Sequence, residues 1–213
     1  MEWGGEELEL HPERAIYWPA AKALLLADLH LGKSAHFRKA GIAMPGKAGF
    51  GDFRRMDKLL RQYQPERFLL LGDLFHSEYN EDWQQFVRLR QEHPGVRFEL
   101  VGGNHDILDL RHYEEAGLEV HPEELREGPF LFTHIPIEEE LPAGVYNICG
   151  HIHPGVRMQG AGRQSLRLPC FFFDRQQAIL PAFGKLTGLF RLSPRKHHKV
   201  YVIVSSQVLH VSP

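Results

Sequence analysis

The sequence predicts an α/β protein built as a sandwich of two sheets with helices outside. Three observations carry that reading. In the first half, apolar runs of strand length alternate with stretches of helical periodicity; in the second half, short apolar segments are separated by turn residues; and run after run ends in a polar residue able to bind a metal. Strand–helix alternation implies a largely parallel sheet covered by helices, whose ligands gather beyond the carboxyl ends of the strands. With 213 residues and no stretch resembling a linker, the chain is read as a single domain over residues 1–213, long enough to bury about 70% of its unfolded surface without disulfide support.

The elements follow in order. Residues 7–10 and 14–18 read as short strands around His11-Pro12-Glu13, and the apolar run 23–27 reads as a buried strand ending in Asp28. Residues 32–41 read as a helix and Pro45-Gly46 as a loop. From Asp52, the positions Phe53, Met56, Leu59, Leu60 and Tyr63 recur at helical spacing and stop before Pro65. Residues 67–71 form a second buried strand ending in Gly72-Asp73, a helix follows over 83–92, and a third strand over 96–101 ends in Gly102-Gly103-Asn104-His105-Asp106. Beyond residue 117, strands are expected over 118–120, 129–133, 145–149, 165–168, 171–173, 178–180, 200–204 and 207–211. Residues 193–199 form a compact basic loop.

Composition excludes other classes. A chain 43% hydrophobic and 24% charged is neither disordered, collagenous nor membrane-embedded. The acidic N-terminus lacks the pattern of an export signal, and no apolar run approaches the roughly 20 residues that span a bilayer, so the expected location is cytoplasmic. Two cysteines, Cys149 and Cys170, cannot build a disulfide framework or a thiolate zinc site and read as small buried hydrophobes. The formal charge of −2 conceals blocks of −4, +6, −12 and +8 over residues 1–32, 33–67, 68–154 and 155–213. An acidic block between basic ones suits a cation site bordered by a surface for a polyanion, although solvated faces of opposite sign would give the same counts.

The chemistry lies at the strand ends: Asp28 and His30, Asp73, Asn104-His105-Asp106, His134, and His151 with His153. Each residue alone has a structural explanation, as a helix cap or a hydrogen-bonded turn residue. Five clusters in succession, each just past an apolar run, point instead to one site. Carboxylate, amide oxygen and imidazole suit a divalent ion such as Mn²⁺, Fe²⁺ or Zn²⁺, and seven ligands suit two ions with Asp73 as the bridge. Gly32-Lys33-Ser34 resembles the end of a phosphate-binding loop, but Ala27 stands where that motif requires glycine.

Asp28-Leu29-His30, Gly72-Asp73-Leu74-Phe75-His76, Gly103-Asn104-His105-Asp106, Thr133-His134 and Gly150-His151-Ile152-His153 resemble the five signature motifs of the calcineurin-like metallophosphoesterases, in order and over most of the chain. The resemblance implies a four-layer α/β/β/α sandwich of two mixed sheets flanked by helices, with a dinuclear centre at the sheet edges. It implies Asp28, His30, Asp73 and His153 on one ion, Asp73, Asn104, His134 and His151 on the other, His105 as a catalytic residue, and Asp106 orienting its ring. Two cations held about 3.5–4 Å apart can bind a bridging hydroxide and polarise phosphoryl oxygens, while His105 could protonate the leaving oxygen.

Residues 26–33 together with Arg38-Lys39-Ala40-Gly41-Ile42-Ala43-Met44-Pro45 resemble a narrower group, the bacterial metallophosphoesterases associated with a DNA ligase and a DEXH-box helicase. This implies a manganese-dependent DNA endonuclease of damage repair, with Fe²⁺, Zn²⁺ or Mg²⁺ as alternative ions, acting on single-stranded, gapped or damaged DNA. Lys33, Arg38, Lys39, Arg54, Arg55 and the 195–199 loop are candidate phosphate contacts, and Phe37 a candidate stacking residue. Ile135-Pro136 follows His134 where many phosphatases of the superfamily have glycine. The alternatives are a phosphodiesterase or phosphatase for small phosphoesters and, third, a non-catalytic repair scaffold; all seven ligand positions and His105 are filled, which disfavours the scaffold.

Overall fold

The computed structural model describes residues 1–33, 50–75, 81–106, 108–159 and 165–211. The expected helix over 32–41 beyond Lys33, the Pro45-Gly46 loop, Phe37, Arg38, Lys39 and His76 lie outside the described residues.

Strands β1 (Glu2–Trp3) and β2 (Glu6–Glu7) pair as a small antiparallel ribbon. The first large sheet runs β3 (Glu9–His11), β4 (Ala15–Trp18), β5 (Ala23–Ala27), β6 (Arg67–Leu71), β7 (Arg97–Val101) and β8 (Leu118–His121), in that order. Its first three strands pair antiparallel and β5 to β8 pair parallel. The second sheet takes β9 (Glu124–Glu127), β10 (Phe130–Thr133), β11 (Tyr146–Cys149), β12 (Pro154–Gln159), β13 (Ser165–Phe173), β14 (Gln177–Ile179), β15 (Phe190–Arg191), β16 (Lys199–Val204) and β17 (Gln207–Val211). Its order is β15-β12-β13-β14-β11-β10-β9, with β16 joined to β13 and β17 to β16. Both sheets are mixed.

The pleat explains how one sequence run serves two cores. In β5, Leu24 and Leu26 pack among Phe53, Met56, Leu59 and Leu60 of α1 (Phe50–Tyr63) and Trp83, Phe86 and Leu89 of α2 (Glu81–Glu92). Ala23, Leu25 and Ala27 point the other way, onto Phe130, Phe132, Ile148, Phe171 and Phe173 of the second sheet. A strand buried on both faces must be continuously apolar, as this run is. The short α3 (Leu110–Glu115) adds Tyr113 to the helix-side core. The α/β sandwich of two mixed sheets flanked by helices is therefore present, and the described helices pack on the first sheet. On the outer face of the second sheet, Cys149, Cys170, Phe172, Val200 and Val202 form a third apolar cluster.

Differences from the sequence expectation are local. The segments expected over 165–168 and 171–173 are one strand, because β13 continues through Pro169 while exchanging partners, from β12 to β14 and β16. Strands β1, β9, β12 and β15 lie outside the expected segments: β1 and β15 are two residues long, β9 is Glu-Leu-Arg-Glu with a single apolar residue, and Pro-Gly opens β12.

Candidate metal centre

The ends of β5, β6 and β7 in the first sheet and of β10 and β11 in the second meet at one edge of the sandwich. A bridge from Ala27 to Ala182 closes β5 on the second half of the chain, where Phe183 N–H donates to Ala27 O at 2.8 Å and Gly184 N–H to Asp28 O at 3.1 Å. The loop after β5 is tied to the loop after β6 by His30 N–H to Asp73 O (2.8 Å) and Leu31 N–H to Leu74 O (2.9 Å).

The backbone of this edge is held in an unusual conformation. Nine non-glycine residues among those described have positive φ, and five of them are Asp28 (52°), His30 (49°), Asp73 (44°), His151 (66°) and His153 (52°). Left-handed backbone costs a non-glycine residue about 1–3 kcal/mol and persists only where the surroundings impose it. Its concentration on five candidate ligands means the fold turns these side chains inward at a cost to its own stability. Two glycines give the necessary clearance: a Cβ on Gly72 (φ 66°) would collide with the His134 ring, and one on Gly150 would stand 2.6 Å from Asp28 Oδ2.

The donor atoms converge in two groups, Asp28, His30 and His153, and Asp73, His134 and His151, each with its atoms within 4.8 Å of one another. In the first, His30 Nε2 is 3.2 Å from His153 Nε2, and His153 Nε2 is 3.7 Å from Asp28 Oδ1. In the second, His151 Nδ1 is 3.1 Å from His134 Nε2, which is 2.9 Å from Asn104 Oδ1 and 3.4 Å from Asp73 Oδ1. The other oxygen of Asp73, Oδ2, lies 3.6 Å from His30 Nε2, so one carboxylate faces both groups.

These distances fit a metal. Ligands about 2.0–2.2 Å from a common ion stand about 3–3.6 Å apart, as these donor atoms do; an imidazole N–H bonded to a neighbouring ring nitrogen gives the same spacing, so the metal reading turns on the two carboxylates. Asp28 and Asp73 are 0% and 2% exposed, and their ion pairs among the described residues are all with histidines. Buried anions without a firm cation are costly. Burial also pushes His134 below the ordinary imidazole range, favouring the neutral form that ligates.

His105 and Asp106 occupy the loop after β7. His105 is exposed, its N–H donates to Asp73 Oδ1 at 3.0 Å, and its ring centroid is 5.9 Å from that of His30. Asp106 accepts from Phe75 N–H (3.0 Å) through Oδ1 and from Gly103 N–H (2.9 Å) through Oδ2. Burial pushes its carboxyl up to about 7, despite those two bonds. Asp106 thus ties the loop that carries His105 to the loop that carries Asp73.

The family model of the calcineurin-like phosphoesterases matches residues 21–169. The chain belongs to the calcineurin-like phosphoesterase family. This phosphoesterase is a metal-dependent hydrolase, and it is similar in structure to the Pseudomonas putida nuclease MPE, with a TM-score of 0.79 and 28% identity over 99% of this chain and 98% of that one. No curated protein sequence matches it significantly.

Not every cation expected to meet substrate is free to do so. Arg55 of the phosphoesterase is buried: it donates to Glu13 (2.6 Å), Asp52 (2.9 Å) and Phe183 O (2.8 Å) and stacks 3.9 Å from the Phe183 ring centroid. It is a tie within the fold, and its assignment as a phosphate contact is corrected. Arg54 is exposed and Lys33 half-buried. Sequence reasoning missed Ala182 to Gly184, whose backbone holds the Asp28 turn. An apolar Pro-Ala-Phe carries no chemical signal, and only the pairing reveals its role.

Proposed function

We propose that this phosphoesterase is a dinuclear-metal phosphodiesterase that cleaves DNA, an endonuclease of damage repair, working as one unit over residues 1–213. Asp28, His30, Asp73 and His153 would hold one ion, and Asp73, Asn104, His134 and His151 the other. The observation that carries the reading is the Asp73 carboxylate, buried and turned with one oxygen toward each group of imidazoles. Two divalent ions bound there would supply an activated water and offset charge on the phosphoryl oxygens. Mn²⁺ is the proposed ion on the strength of the sequence resemblance; the donor set, oxygen and imidazole without thiolate, suits it alongside Fe²⁺, Zn²⁺ or Mg²⁺.

The chain's own residues do the rest. Asp28 is fixed by the His151 N–H, 3.1 and 2.9 Å from its two oxygens. His105 is exposed at the mouth of the site and is proposed to donate a proton to the leaving oxygen, a contribution of about 10²–10⁴-fold. Asp106 positions it through the loop backbone. DNA as substrate is supported by the likeness to the P. putida nuclease and by the excess of basic residues over 155–213. No described helix is long and apolar enough to cross a membrane, and a cytoplasmic setting beside a DNA ligase and a DEXH-box helicase accords with the sequence resemblance.

The test is hydrolysis of bis-p-nitrophenyl phosphate and of single-stranded and gapped oligonucleotides with and without Mn²⁺. Mn²⁺-dependent cleavage of both, with oligonucleotide binding that weakens steeply with salt, is expected. Turnover of small esters with every oligonucleotide left intact would replace DNA by a small phosphoester as substrate.

A further inference from the structure

Strands β15, β12 and β13 form a ribbon that leaves the candidate metal centre directly. β12 begins at Pro154, the residue after His153, and β15 begins where Phe190 N–H donates to His153 O at 3.0 Å. Register places Arg157 directly opposite Arg167, and Arg191 opposite Gly155, two residues along β12 from Arg157. Residues two apart on a strand, and residues directly opposite across strands, share a face. Three arginines therefore line one face of the ribbon. The other face bears Met158, Leu166 and Phe190.

All three guanidinium side chains are exposed, and none makes a hydrogen bond or ion pair with any described residue. Like charges directly opposite across a strand pair destabilise it, and among the described residues no acid forms an ion pair with Arg157 or Arg167. Residues 155–213 hold nine basic residues and one acidic residue, Asp174, which is engaged by His197 (3.4 Å) and His198 (3.7 Å). A repelling row of cations, beginning at a ligand-bearing turn, fits a polyanion that passes through the site.

We infer that the Arg191–Arg157–Arg167 face is the track for the sugar–phosphate backbone of the DNA strand being cut. This rests on the reading of DNA as substrate. At a strand rise of about 3.3 Å, Arg157 lies about 13 Å along the chain from His153, the length of about four stacked nucleotides. The track therefore contacts phosphates beyond the scissile one and sets affinity for a strand without touching the reacting atoms.

The experiment compares wild type, R157A/R167A/R191A and the charge-retaining R157K/R167K/R191K, each loaded with Mn²⁺. Cleavage of a single-stranded oligonucleotide is followed over a salt series, with bis-p-nitrophenyl phosphate in parallel. The alanine variant is expected to raise KM for the oligonucleotide at least about tenfold and to flatten the logarithmic salt slope by about 2, at about 0.7 per lost phosphate contact. Diester turnover stays unchanged, and the lysine variant keeps most of the slope. An alanine variant with wild-type oligonucleotide KM and slope overturns the track while leaving DNA as substrate. Equal loss on both substrates in both variants also overturns it, by marking a structural role. A wild type that hydrolyses the diester but never the oligonucleotide overturns the substrate reading and the track together.

Discussion

Glu99 and Asp73 are both buried carboxylates of the first sheet, one inside β7 and the other just past the end of β6, yet their surroundings are opposite. Glu99 sits in regular strand and accepts from Arg67 Nε and Nη2 at 2.7 Å each and from Arg97 Nε at 2.8 Å; Arg67 also pairs with Glu127. Burial would raise the Glu99 carboxyl, but these bonds hold it below its ordinary range. Asp73 sits in left-handed backbone, and its described ion pairs are with His30 and His134. The fold neutralises the first carboxylate itself. For the second, with Asp28, the described residues offer only histidines and the charge of the half-buried Lys33 nearby, and the strain the backbone accepts there fits a site that another group completes.

Substitution at each end breaks this comparison in opposite ways. Asp73→Asn should lower Mn²⁺-dependent diester hydrolysis by about 10³-fold or more, since it removes the shared carboxylate. The metal-free variant should melt no lower than metal-free wild type, because a buried charge without a cation is itself a cost. His105→Ala should retain both ions by elemental analysis and lower kcat by about 10²–10⁴-fold; equal loss of metal would make His105 structural. Glu99→Gln should do the reverse of Asp73→Asn: urea unfolding should report about 3 kcal/mol of lost stability, as for a broken buried ion pair, with metal content unchanged. The smallest effect concerns the thiols. Cys149 and Cys170 are buried, burial raises both thiols and pushes Cys170 up to about 12, so a thiol reagent should label neither in the folded protein and both in denaturant.

Much of the frame was legible because burial on both faces leaves a plain signature. The runs 23–27 and 67–71 emerge with the boundaries that their apolar composition predicts, and the helix ending at Tyr63 stops where Pro65 requires. The seven candidate ligands were legible for a related reason: each interrupts or follows an apolar run, where a polar residue needs an explanation. Pairing across the chain was not legible. Nothing in Arg157 or Arg167 alone says that they stand opposite each other, and Arg55 reads as a surface cation until Glu13, Asp52 and Phe183 are brought around it. Periodicity reports which face is buried; it does not report which partner buries it.

The central claim is that the two donor groups are two halves of one dinuclear centre sharing Asp73. Anomalous scattering from crystals soaked in Mn²⁺ tests it directly. Two peaks are expected about 3.5–4 Å apart, one among Asp28, His30 and His153, the other among His134, His151 and Asn104, with Asp73 reaching both. A single peak, or peaks away from these side chains, would contradict it.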